Sequence, residues 1–429
     1  MKPIPLHCKL KQMIHYTEHL LSNGLRLLIH RTTDTPMAAV NLLYNVGSRD
    51  EEPDRTGFAH LFEHLMFGGS ENISSYDRAL EFAGGENNAF TGNDITNYYL
   101  SLPASNLETA FWLESDRMLN LAFSPKSLEV QRNVVIEEFK QRYLNQPYGD
   151  VWHLLREATY KVHPYQWPTI GKETGPIAEA TIEEVKAFHN RFYTPVNAIM
   201  AVAGNVDPKT VVALAEKWFG PIPSGKPYSR NLPQEPAQTA RRERTVERDV
   251  PANALFMAWH MAERKDQRYY TADLISDILA GGDSSRLTQK LVKEQPLFSD
   301  LSAFLTGDDD PGLFVISGRL NENITFEEAE NAVTHEISQL IQTPPPEKEL
   351  QKTKNKIESM LLFSQLKITT IALNLCIAKQ LGDTSRINTE LDNYLRVTPA
   401  MIRQEAALLF RPENTTVIYY KKNNTAPHA

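Results

Sequence analysis

Residues 55–70 read RTGFAHLFEHLMFGGS, with Phe58, Leu61, Phe62 and Leu65 at helical spacing and Gly68-Gly69 as a stop, so an amphipathic helix is expected over 57–67. On a 3.6-residue helix His60 and His64 lie about 40° apart and Glu63 about 60° to the other side of His60, which puts all three on one face. Two neutral imidazoles at that spacing can hold one tetrahedral Zn²⁺, and a carboxylate between them reaches a water beside the metal without being a ligand. This is the inverted order of the His-Glu-x-x-His zinc helix. Imidazoles at the edge of so apolar a helix need partners, and a metal supplies one. A third ligand is then required, and a carboxylate is the expected type. Residues 127–143, SLEVQRNVVIEEFKQRY, form a second helix, read over 127–145, that offers Glu137 and Glu138. Adjacent helical residues point about 100° apart, so only one of the two can face the metal, and the residues alone leave the choice open.

Outward from this helix, strand and helix alternate. Leu20 and Leu21, then Asn23-Gly24, then Leu25, Leu27 and Ile29 predict two strands around a type I′ turn, and Val40 to Val46 continues the strand pattern. Helices are expected at 76–82 and 107–121, and between them GGENNAFTGNDITNYYLSL has the composition of a strand pair. After Pro221-Ile222-Pro223 the chain turns rich in Pro and charge, which marks a linker at 226–245 between domains 1–225 and 246–429. The two parts share a trace of repetition. Thr181 opens a helix leading to Pro195, Asn197 and the strand AIMAVAG, and Thr398 opens one leading at identical intervals to Pro412, Asn414 and TTVIYY. The expectation is a duplicated α+β domain.

Composition narrows the function classes. A chain of 429 residues with 41% hydrophobic residues has ample core for two or three domains, and a formal charge of -8 offers no footprint for nucleic acid. No apolar run reaches the roughly 18 residues of a membrane span or forms a signal-peptide core, so a cytoplasmic, soluble protein with no membrane partner is expected. Cys8 and Cys376 are far apart and lack metal or redox spacing, and both read as ordinary thiols. His153, His163, His189, His260 and His335 have no ligand spacing to one another.

The strings RTGFAHLFEHLMFGGS, GGENNAFTGNDITNYY, QRNVVIEEF, HPYQWPTIG and NAIMAVAGNVDP resemble, in that order, the successive signatures of the pitrilysin family of zinc peptidases, an inverzincin family. The likeness is closest to its half-length members, such as the processing peptidases and their bacterial relatives. It is strong over 17–223 and weak beyond, through LAGGDSSRL near Ala280. The resemblance implies two homologous domains, each a mostly antiparallel sheet with helices packed against it. It implies Zn²⁺ on His60, His64 and Glu138, with Glu63 as general base, which favours Glu138 over Glu137. It assigns Asn88, Ala89, Phe90 and Thr91 to an edge strand that binds an extended peptide.

Two departures stand out. A second glutamate that assists catalysis in some members is Gln131 here, and the family's substrate-contacting arginine and tyrosine fall on Gln295 and Ser299. Lys293 and Arg286 are candidate substitutes, but each is more simply a surface charge or a structural residue. The expected activity is zinc-dependent endopeptidase cleavage of peptides or unfolded segments inside a dimeric chamber, as a homodimer or as a heterodimer with a homologous subunit. The alternative is a non-catalytic or partner-dependent subunit of a heterodimeric peptidase or scaffold assembly.

Overall fold

A computed structural model describes residues 13–423, and Cys8 lies outside them. In the first half β1 (Thr17–Leu20), β2 (Arg26–Arg31) and β3 (Met37–Tyr44) lead into α1 (Phe58–Leu65) and α2 (Tyr76–Phe82). The hairpin β4 (Glu86–Thr91) and β5 (Thr96–Pro103) follows. Then α3 (Leu107–Leu119), α4 (Pro125–Phe139), α5 (Val151–Thr159), α6 (Gly175–Ala178) and α7 (Ile182–Phe192) return the chain to β6 (Ala198–Gly204) and α8 (Pro208–Trp218). The second half runs β7 (Arg242–Arg248), β8 (Ala254–His260), α9 (Gln267–Ala280), β9 (Phe298–Leu305) and β10 (Leu313–Leu320). It closes with α10 (Phe326–Gln342), α11 (Glu347–Ser364), α12 (Ile368–Gln380), α13 (Arg386–Leu395), α14 (Pro399–Leu409) and β11 (Thr415–Lys422).

The strand orders are β1-β2-β6-β3-β5-β4 and β7-β11-β8-β10-β9. In each sheet one pair is parallel, β2 with β6 and β7 with β11, and the rest are antiparallel. Without β1 the two sheets correspond strand for strand in order and direction, so the α+β duplication holds. The Thr-Pro-Asn repeat has an atomic cause. Thr181 and Thr398 each accept a first-turn N–H of the helix they cap, and Asn197 and Asn414 each donate to the carbonyl five residues back, Phe192 and Leu409, at 2.9 Å.

Each sheet packs one face on its own helices. The other face is covered by a helix from the opposite half: α12 brings Ile371, Leu375 and Cys376 against Leu28, Leu43 and Ile199, and α5 brings Leu154 and Leu155 against Ala258, Val315 and Ile418. Both faces of the central strands are thus dry, and β6 is an unbroken buried run.

Three expectations need correction. The 21–25 connection is not a type I′ turn, because only Gly24 has a positive φ (90°) and Asn23 instead turns its amide inward onto the carbonyls of Phe219 and Ile222. The helix read over 127–145 stops at Phe139 and continues as a π turn over Lys140–Leu144. β7 begins at Arg242, inside the stretch read as linker, since pairing with β11 orders a segment that has no apolar periodicity of its own. Among the described residues no single helix is long and apolar enough to cross a membrane.

Candidate metal centre

The rotation of α1 is fixed from behind. Phe58, Leu61, Phe62 and Leu65 are buried, with Phe62 stacked on Phe188 (ring centroids 5.0 Å) and set against Tyr193 (4.9 Å). That anchorage turns His60, Glu63 and His64 toward α4. On α4 the buried Leu128, Val135 and Phe139 set the facing surface and bring Glu138 in, while Glu137 points outward and pairs with Lys140 at 2.7 Å. The packing of α4 thus faces Glu138, and not Glu137, toward the two histidines.

His60 Nε2 lies 3.7 Å and His64 Nε2 3.4 Å from Glu138 Oε2, and the two imidazoles stand edge to face at 89°. Ligands held tetrahedrally at 2.0–2.1 Å lie about 3.4 Å apart, so both distances to Glu138 are close to those expected around one zinc ion, and all three ligand atoms lie within 4.8 Å of one another. Among the described residues this is the one group of three His, Cys, Asp or Glu side chains whose ligand atoms converge. The donor set and its spacing fit zinc. Among the described residues no further histidine joins it: His153 and His260 bond backbone carbonyls, His163 pairs with Asp310, and His189 is buried against Phe62 and Tyr193.

The surroundings tune the donors. Burial pushes His60 down to about 4, so it is neutral and ready to ligate at neutral pH. The nearby His64 imidazole, 3.4 Å away, holds Glu138 below the usual carboxylate range. Arg142, brought round by the π turn, pairs with Glu138 Oε1 at 2.8 Å and leaves Oε2 toward the histidines. Burial raises Glu63, against a 2.5 Å bond donated by the Thr91 hydroxyl to its Oε2.

Thr91 ends β4, which lies on the sheet edge next to β5 alone. Along β4, Asn87, Ala89 and Thr91 are half-buried and Glu86, Asn88 and Phe90 are exposed. The Ala89 N–H is taken up by the Asn88 side-chain oxygen at 2.8 Å, so this amide is directed away from the β5 ladder. The outer edge of Asn88–Thr91 lies beside Glu63, with the Ala89 N–H covered by the Asn88 side chain. In the second half Gln295 and Ser299 are exposed, and Ser299 bonds only Asp300 and the Arg319 carbonyl. Arg286 pairs through Nε and one terminal nitrogen with Glu349, and the exposed Lys293 donates to the Asp283 carbonyl.

Three contributors escaped the sequence reading: Arg142, the bond from Thr91 to Glu63, and Glu51, which accepts N–H groups of the first turn of α1.

The family model for insulinase (peptidase family M16) matches residues 26–173, and that for the M16 inactive domain matches 179–357. The chain is 29% identical over 340 residues to the zinc protease PqqE of Helicobacter pylori, covering 78% of this chain and 76% of that one. It is 31% identical over 307 residues to an uncharacterised zinc protease of Mycobacterium tuberculosis, covering 70% of each. The crystal structure of a protease from Helicobacter pylori superposes with a TM-score of 0.89 at 26% identity, over 95% of this chain and 100% of that one.

Proposed function

The chain belongs to the pitrilysin/insulinase (M16) peptidase family, and from that premise we propose that it is a zinc-dependent endopeptidase acting on extended peptides. The observation that carries this is the convergence of His60, His64 and Glu138 with Glu63 beside them. When bound, zinc supplies a Lewis acid that polarises a carbonyl and lowers the pKa of water from about 15.7 toward 7. His60, His64 and Glu138 hold it. Glu63 takes the proton from the attacking water and returns one to the leaving amine, and its raised affinity for protons matches that double duty. The Thr91 hydroxyl keeps the carboxylate aimed. Main-chain pairing along Asn88–Thr91 lays the peptide across the site in register with Glu63.

We place the work in a dimer, because Gln295 and Ser299 cannot supply a guanidinium or a phenol and a homologous partner subunit can. Metal content by elemental analysis and cleavage of a quenched peptide library test the assignment together, run with and without such a partner. Stoichiometric zinc with cleavage, abolished in Glu63→Gln without loss of zinc, is the expected result. Failure of demetallated and reconstituted protein to take up zinc would overturn it.

A further inference from the structure

Upstream of the metal helix lies a 3-10 turn in which four consecutive polar residues are buried: Ser48, Arg49, Asp50 and Glu51. Each holds a different part of the molecule. The Ser48 hydroxyl donates to Asn93 at 3.2 Å, just beyond the free edge strand β4. Arg49 reaches Asp94 (2.9 Å) and, in the second half, Asp309 (3.0 Å) and Asp310 (2.7 Å) in the β9–β10 connection. Asp50 receives Arg230 of the inter-half segment at 2.7 Å and the Tyr228 hydroxyl at 3.0 Å. Glu51 accepts the Gly57 N–H at 2.9 Å and the Ala59 N–H at 2.8 Å, so both its oxygens cap the first turn of α1.

Among the described residues no other side chain caps that turn. The N-cap position is Gly57, at φ 91°, and a Cβ there would lie 2.7 Å from the Ile170 carbonyl oxygen, so a Ser or Asp cap is sterically excluded. Its counterpart α9 in the second half is capped in the ordinary way, by Asp266 at its own N-cap. A purely structural helix manages with a local cap; the helix with the three functional residues takes its cap from a turn that is itself clamped to the other half.

We propose that Glu51 is a positioning residue for the metal helix, and that through Arg49 the docking of the second half sets how tightly His60 and His64 hold the metal. This rests on the metal-site reading above. A dianionic pair, Asp309 and Asp310, secures Arg49; Arg49 and Glu51 belong to one rigid turn; and Glu51 fixes the axial position of a helix whose one face holds two of three metal donors.

The test uses the full chain and zinc alone. Glu51→Gln keeps size but replaces one acceptor by a donor facing an N–H. Zinc affinity by chelator competition should weaken about ten-fold, as for other outer-layer supports of metal ligands. The visible spectrum of the cobalt-substituted protein should shift, and kcat should fall with KM unchanged within about two-fold. The double change Asp309→Asn with Asp310→Asn, remote from α1, should weaken zinc about three-fold. Combined with Glu51→Gln it should add less than the product of the two, as for coupled sites. Wild-type affinity and cobalt spectrum in a folded Glu51→Gln would overturn the proposal, as would a double change that lowers Tm and leaves zinc affinity untouched. Wild type that takes up no zinc would instead overturn the underlying metal assignment.

Discussion

Aligned on Gly68-Gly69 and Gly281-Gly282, α1 and α9 occupy equivalent places in the two halves, and His60, Glu63 and His64 correspond to Asp273, Ser276 and Asp277. Opposite them, α4 brings Glu138 to His64 at 3.4 Å, while α11 brings Lys356 to Asp277 at 2.7 Å, with a second bond from its ammonium to the Gly281 carbonyl at 2.8 Å. One scaffold thus holds the same gap in two ways. In the first half three electron-pair donors face one another and need a cation from outside. In the second the cation is a tethered ammonium, and the carboxylates have partners already: Asp273 accepts from the Tyr394 hydroxyl at 2.7 Å. The two halves share the geometry and differ in the three side chains that face one another: two imidazoles and a carboxylate in one, two carboxylates and an ammonium in the other.

The largest effect breaks the catalytic side of this contrast. Glu63→Gln should lower kcat about 10³–10⁴-fold with zinc content unchanged, because an amide cannot take the proton. Ser276→Ala, at the equivalent place, should leave kcat at the wild-type value. Peptide turnover and elemental analysis on the two variants check both halves of the statement.

Next in size is a change that imports the second half's solution into the first. Glu138→Lys puts an ammonium among His60 and His64, so stoichiometric zinc and turnover should both vanish while the variant melts near metal-free wild type. His64→Ala should lose zinc too, through loss of one of three ligands. Glu137→Gln should bind zinc as wild type does, since that side chain faces solvent. Zinc stoichiometry with calorimetry in chelator distinguishes the three.

The exchanged helices give the third prediction. Leu375 of α12 and Leu155 of α5 are buried on the sheet of the opposite half. Truncating either to Ala should cost about 2–5 kcal/mol. Both should lower a single shared transition in calorimetry, since each half seals a face of the other. Two separable transitions would contradict that interdependence.

How far all this was legible follows the range of the forces. The metal donors were visible because i, i+3 and i+4 spacing is a local property of one helix, and the duplication because Thr181 and Thr398 cap through bonds made within their own turns. Glu138 could be chosen over Glu137 only by resemblance, since its direction depends on which face of α4 packs against α1. The crossing of α5 and α12 left no trace: each is an apolar helix to any sheet, and nothing in Ile371 or Leu375 says which half it serves. The 48–51 turn was illegible for the opposite reason. Arg49, Asp50 and Glu51 look like a solvated charged loop, and only their partners at residues 57, 59, 94, 230, 309 and 310 make burial tolerable.

The smallest effect sharpens the comparison most. Lys356→Met removes the ammonium that stands where the first half needs a metal. Its side chain is 52% exposed and that of Asp277 20%, so water replaces much of the lost interaction and the cost should be about 0.5–1 kcal/mol, measured by denaturant unfolding. Zinc stoichiometry should stay at one per chain. With Lys356 gone, Asp273 and Asp277 remain as two carboxylates without an imidazole, and Asp273 stays engaged with Tyr394, a donor set poorly matched to zinc. Uptake of a second zinc by Lys356→Met would mean that the scaffold alone makes the site; a count that stays at one assigns the difference between the halves to His60, His64 and Glu138 themselves.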